Sequence, residues 1–343
     1  MGQVRGPSLL AAEGTKAELH FVLPNLAAGE SQKFQVSVPA EKAPQEQFSW
    51  TDTAGQYSEL SFAGRPVLRY MYQPLDEARL EETYKVFHHV YDPLGERIVT
   101  KGPGGQFTHH RGLFYGFNKV TYKNNGTSTN CDIWHCRGAS QQHKEVLSTE
   151  TGPVLGRHRV AINWVGPDNK PFAVEHRELT VYNRPGGNLI EFASKLNPEV
   201  ESIHLDGDPQ HAGFHFRADN EVSASTAKKT YYLRPDGAGK PGETRNWPGN
   251  KEHVDLPWNA MSFVLGDQRY TACYLDSPEN PKEARFSERD YGRFGSYFVA
   301  DVDRENPLEV NYRVWLQEGE TTVEGVAALD ADFIDPPQAK VVK

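Results

Sequence analysis

The sequence predicts an all-β protein, a large antiparallel β-sandwich with few, short helices. Apolar and polar residues alternate at period two along most of the 343 residues. Helical periodicity is scarce, and clusters of Gly, Pro, Asn and Asp punctuate the alternating runs. That combination marks many short strands joined by tight turns.

The runs follow in order. Leu19–Leu23, Lys33–Val38 and Val67–Tyr72 come first. Val160-Ala161-Ile162-Asn163-Trp164 places Val160, Ile162 and Trp164 on one face. Leu189–Leu196, Ser262–Leu265 and Tyr270–Leu275 continue the pattern, and Val310–Leu316 repeats it with Tyr312, Val314 and Leu316 together. Turn chemistry separates them, as in Asn183-Arg184-Pro185-Gly186-Gly187 and Arg234-Pro235-Asp236-Gly237. One or two helical turns are expected near Leu75–Tyr84 and near Val323–Asp332. A strand-poor stretch from Pro39 to Phe48 divides a leading β-segment, residues 1–40, from a sandwich domain, residues 41–343. The leading segment reads as the remnant of an N-terminal module. Ser225–Asp255 is rich in turn formers and reads as a long loop over a groove.

Composition excludes several classes. Charged residues make up 24% and aromatics 11%, a globular balance. The formal net charge is −9 and no basic run exists, so nucleic acid is a poor partner. No apolar window reaches the length of a membrane span. Met1–Pro7 lacks the apolar core of a signal peptide. The three cysteines, Cys131, Cys136 and Cys273, are too few and too odd in number for a disulfide scaffold. A Cys131–Cys136 bridge and buried free thiols are the two readings of the close pair. Motifs of serine hydrolases, phosphate-binding loops and zinc proteases are missing.

Polar chemistry concentrates in six stretches. In His211-Ala212-Gly213-Phe214-His215-Phe216-Arg217, pleating sends Ala212, Phe214 and Phe216 to the core. His211, Gly213, His215 and Arg217 share the other face. At about 3.3 Å per residue, His211 and His215 stand too far apart to chelate one cation on an unbroken strand, whereas His215 and Arg217 can reach one ligand. In Thr108-His109-His110-Arg111-Gly112, both imidazoles act together only in a loop, which the preceding Gly102-Pro103-Gly104-Gly105 favours. Asp132-Ile133-Trp134-His135 sets a carboxylate beside an aromatic plate, a pairing that suits sugars. Glu175-His176-Arg177-Glu178 places Glu175 and Arg177 on the face of Leu179 and Val181, where charges form an ion pair or face a cleft. Asp255-Leu256-Pro257-Trp258 offers a carboxylate and a second indole. Arg285–Arg293 holds three arginines and two carboxylates, either a salt-bridged loop or a fork for anionic or polyhydroxyl groups.

Taken in order, several stretches resemble a bacterial family known as "methane oxygenase PmoA-like". They are Leu23–Glu30, His109–Phe114, Asp132–His135, Glu175–Arg177, Gly213–Arg217, Asp255–Trp258 and Arg289–Gly292. The likeness spans nearly the whole chain. The resemblance implies a periplasmic or secreted protein, its signal peptide absent here, with a sandwich similar to galactose-mutarotase-like folds. Such folds commonly act on carbohydrates at a concave sheet face, with His and carboxylate side chains as acid and base.

The leading expectation is therefore an enzyme that cleaves or modifies a glycoside, with no resident cofactor. His110 or His215 would be general acid or base, with Glu175 or Asp132 as carboxylate partner. Arg111, Arg217 and Arg289 would hold substrate oxygens and Trp134 and Trp258 would stack. His109, His135, His211 and Asp255 would complete the substrate site. A non-catalytic carbohydrate-binding module is the second expectation. A metal-dependent enzyme of oxygenase type is the third, with a divalent cation on His109, His110, His135 and Asp132.

Overall fold

The computed structural model describes residues 2–23, 26, 29–35, 46–337 and 339. Two large antiparallel sheets face each other. The first has nine strands, in the order Ser140–Glu150, Leu155–Val165, Pro171–Tyr182, Asn188–Pro198, Leu308–Glu318, Gln268–Asp276, Trp258–Leu265, Tyr231–Arg234 and Gly237–Ala238. The second has eight, in the order Arg285–Arg289, Arg293–Tyr297, Ala212–Arg217, Leu113–Phe117, Phe87–Val90, Arg65–Met71, Tyr57–Phe62 and Phe48–Thr53. A four-stranded sheet (Ala300–Val302, Ser202–Asp206, Lys119–Asn124, Thr127–Cys131) and a Gly2–Arg5/Glu18–Phe21 hairpin complete the strands described.

Alternation generates the core as expected. Phe214 of the eight-stranded sheet stacks on Phe192 of the nine-stranded sheet, with ring centroids 4.3 Å apart. It also meets Tyr312 at 4.9 Å. The short helical turns fall at Glu77–Arg79 and Leu80–Thr83, and the longer helix runs Val323–Ile334. Thr322 caps that helix by accepting from Gly325 N–H at 3.1 Å. Its Val326 and Leu329 cover Leu189, Trp258, Cys273 and Trp315 in a second apolar cluster.

Several expectations need correction. Lys33–Gln35 is not strand; the rest of the Lys33–Val38 run, most of Pro39–Phe48 and part of Leu23–Glu30 lie outside the described residues. Ser225–Asp255 is not a free loop. Its turn formers close a hairpin, Tyr231–Arg234 with Gly237–Ala238, and its later residues pair with the edge strand through Asn246–Ser287 and Val254–Arg285. Of the two readings of the close cysteine pair, free thiols hold: Cys131, Cys136 and Cys273 are all unbridged.

Glu175 and Arg177 point between the two sheets and are fully buried. Arg177 Nε donates to Glu175 Oε1 at 2.7 Å and Nη2 to Oε2 at 2.8 Å. Trp164 Nε1 and Ser194 Oγ donate to the same carboxylate at 2.9 and 3.0 Å. Removing one member of such a pair leaves a buried charge uncompensated, a loss of about 3–5 kcal/mol. Glu175→Ala should therefore lose that much in denaturant unfolding. Glu175→Met with Arg177→Leu should regain most of it. A single variant within about 1 kcal/mol of the parent would contradict this account.

Candidate functional site

The outer face of the eight-stranded sheet carries the polar chemistry. Pleating of Ala212–Arg217 sends His215 and Arg217 outward while Phe214 and Phe216 enter the core. This face is not open to water. Loops on either side of the sheet fold over it, so His215 and Arg217 are each only 1% exposed. Two glycines make that covering layer fit. Gly213 has φ +87°, and a Cβ there would strike Ser296 O of the neighbouring strand. A Cβ on Gly116 would come within 3.2 Å of Ile133 O, so glycine lets the Asp132–Cys136 turn lie flat on the sheet.

Three loops deliver three imidazoles. His109 comes from the loop before Leu113–Phe117, His135 from the turn after Thr127–Cys131 and His211 from the approach to Ala212–Arg217. One ligand nitrogen from each lies within 4.8 Å of the other two. Ring centroids of His109 and His135 are 4.4 Å apart, and those of His135 and His211 4.8 Å. All three rings are partly solvent-accessible.

A carboxylate orients two of the three. His135 Nδ1 lies 2.7 Å from Asp132 Oδ2, and His211 Nδ1 lies 3.0 Å from Asp208. With Nδ1–H donated to the carboxylate, Nε2 of each ring keeps its lone pair free, the tautomer that ligates a cation. Burial alone would raise the Asp132 carboxyl. Hydrogen bonds from His135 and from the Trp134 N–H outweigh it and hold the group below the usual carboxylate range. For Asp208 the same balance ends well below that range, through His211, the Gln210 N–H and Asn118. His109 Nε2 is buried and has no hydrogen-bond partner. Burial, then the neighbouring His135 and Lys85, push His109 down to about 3, so it is neutral and able to ligate at neutral pH.

Behind the trio lies a buried donor-rich floor. His110 meets His109 edge-on at 4.5 Å. Burial, then the Arg293 guanidinium, hold it well below the ordinary imidazole value. His215 packs against Trp134 at 4.7 Å. Its Nδ1 accepts from Arg293 Nη1 at 3.2 Å, which places the proton on Nε2. Tyr291 stacks on His110 at 6.1 Å, and the Arg217 guanidinium sits 4.9 Å over the Tyr291 ring.

Buried cations staple the loops. Lys85 Nζ donates to His109 O at 2.9 Å and also to Trp134 O, tying two of the imidazole loops together. Burial pushes its amine down to about 7. Arg111 donates to Thr108 O, His110 O and Glu81 O, so it shapes the loop and does not face the trio.

The structure thus brings together His109, His110, Asp132, Trp134, His135, His211, His215 and Arg217. Arg289 stands at the margin, its Nη1 bonded to Asn246 Oδ1 and Glu288 O. Four expected residues do not join them, the first being Arg111, which is spent on loop carbonyls. Glu175 is locked between the sheets. Trp258 is covered by the Val323–Ile334 helix, and Asp255 accepts from Ala284 N–H at 2.7 Å to shape its own loop. The expected cation set also changes: His211 takes the place of His110, and Asp132 orients a ring. Asp208, Lys85, Tyr291 and Arg293 were not singled out as site residues. Asp208 had a readable signal, since Asp208-x-x-His211 repeats the spacing of Asp132-x-x-His135.

Fold and site define an all-β sandwich protein with a loop-covered, histidine-rich sheet face. Residues 57–330 match the model of the family described as "Family of unknown function (DUF6807)", and the chain belongs to that family. Among curated proteins none matches. In fold the chain is similar to the glycoside hydrolase family 36 α-galactosidase AgaB from Geobacillus stearothermophilus, at TM-score 0.44 and 11% identity over 81% of this chain and 42% of that one. It is also similar to a variant glycoside hydrolase family 97 enzyme from Pseudoalteromonas sp. strain K8, at TM-score 0.40 and 9% identity over 74% and 34%. The chain spans less than half the length of either. No helix among the described residues is long and apolar enough to cross a membrane.

Proposed function

We propose that this protein is a divalent-cation-dependent enzyme acting on a carbohydrate-derived substrate, with the cation held by His109, His135 and His211. One observation carries the reading: three ligand nitrogens lie within 4.8 Å of one another, and carboxylates orient two of the rings from behind. Three imidazoles with open positions suit a catalytic zinc-type centre; structural sites close the fourth position. A cation so held lowers the pKa of a bound water and polarises a substrate oxygen. The two-carboxylate route of most glycosidases has less support. Asp132 and Asp208 are each committed to an imidazole, and Glu175 is in the core. The facial triad of many non-haem oxygenases needs a carboxylate ligand, which the trio does not offer. The carbohydrate class rests on the floor's chemistry. Trp134 Nε1, His215 Nε2, Arg217 Nε and Arg293 Nε are buried donors without partners, and a polyhydroxyl ligand rich in acceptor oxygens would satisfy them.

The test is metal analysis joined to a glycan-panel assay. Purified protein should hold about one equivalent of a transition metal. Turnover should vanish on chelation and return on reloading. Failure to bind Zn2+, Mn2+ or Fe2+, with turnover indifferent to chelators, would remove the cation from the mechanism.

A further inference from the structure

Two buried guanidiniums beside the trio lack anionic partners. Arg217 and Arg293 are each 1% exposed, and neither forms an ion pair among the described residues. Buried arginines are normally paired, because an isolated charge away from water is costly. The nearby carboxylates are engaged elsewhere: Asp208 with His211, Asn118 and Gln210 N–H, Asp219 with Glu221 N–H. Arg293 spends Nη1 on Pro209 O and His215 and Nη2 on Ser287 Oγ, leaving only Nε without a partner. Arg217 spends Nη1 on Ala218 O and Tyr291 O. Its Nε and Nη2, the two parallel donors of one guanidinium edge, have none. That edge offers two parallel N–H donors to the two oxygens of a carboxylate, and the same fork can also take two oxygens of a phosphate.

We propose that the substrate carries a carboxylate seated on the Nε/Nη2 edge of Arg217 beside Arg293 Nε, so that the enzyme acts on acidic sugars such as uronic acids. The inference deepens the cation-centred reading and rests on it for turnover, but the anion seat itself does not need the cation. Arg217 sits over the Tyr291 ring, Tyr291 stacks on His110, and His110 packs on His109, so the seat connects to the trio through two rings.

Calorimetric titration of the full chain tests this, using glucuronate, glucose and glucose 6-phosphate, each with Zn2+ and after chelation. Glucuronate should bind at least tenfold more tightly than glucose in both states. Persistence after chelation supports the arginine seat whatever the fate of the cation reading. Arg217→Lys keeps the charge and removes the edge, and should cut the preference to within about threefold. Equal binding of glucuronate and glucose by the unaltered protein overturns the proposal without any variant. So does a folded Arg217→Lys protein that keeps the full preference. Tighter binding of glucose 6-phosphate than of glucuronate would reassign the seat to phosphate.

Discussion

His211→Ala should abolish turnover and stoichiometric cation binding while leaving the fold intact. The side chain sits on the approach to Ala212–Arg217, partly exposed, and its hydrogen bonds run to Asp208 alone. Its loss removes one of three ligands and opens little of the core, so the thermal midpoint of the chelated protein should barely move. His135→Ala should behave alike. Asp208→Asn is the graded control, because the ring stays but loses the carboxylate that fixes its tautomer. Such outer partners typically contribute 10–100-fold in metal affinity, and a comparable weakening is expected. Calorimetry with Zn2+ on the three variants should rank them: weakened for Asp208→Asn, undetectable for both alanines. Undiminished Zn2+ affinity in His211→Ala would show that the cation sits elsewhere.

Strand alternation carried the fold and half of the site. Phe214 and Phe216 inward with His215 and Arg217 outward follow from pleating alone. So does the inward aim of Glu175, which shares a face with Leu179 and Val181. Its charge allowed an ion pair or a cleft; the ion pair forms between the sheets, where Trp164, Arg177 and Ser194 satisfy the carboxylate. Local pattern could not show the layer of loops over the outer face. That layer depends on contacts far apart in sequence, such as Lys85 joining His109 O to Trp134 O. Trp258 was misjudged for the same reason, since the helix that buries it comes much later in the chain. The trio was half legible. Loop chemistry marked His109 and His110 as a pair, but the turn's direction, set by Arg111 bonding three carbonyls, decides which ring reaches His135 and His211.

Acid should weaken the fold steeply between pH 6.5 and about 3, even with no cation bound. The cause lies between the sheets and beside them. His88 Nε2 meets His158 Nε2 at 3.1 Å, so one nitrogen must donate and the other accept. Both rings are buried, with Tyr70 stacked on His88 at 4.9 Å and Trp50 on His158 at 4.7 Å. Burial, then the Arg177 guanidinium, push His158 down to about 3. Burial, then His158 and Arg177, hold His88 well below its ordinary value. Burial, then Arg69, push His89 down to about 3. His89 and His158 therefore bind a proton near pH 6.5 when unfolded but only near 3 when folded, and His88 is likewise held well below its ordinary value in the folded chain. Their contribution is complete above pH 6.5 and is lost as pH falls through that window, because the unfolded chain takes up more protons. At about 1.4 kcal/mol per pH unit per group, His89 and His158 together remove on the order of 7 kcal/mol by pH 4. Urea unfolding of chelated protein at several pH values reads this directly. His158→Gln should lower the slope by about one proton, since a glutamine amide bonds His88 without titrating. An unfolding midpoint unchanged between pH 7 and 4 would mean that these imidazoles are not held neutral in the folded chain.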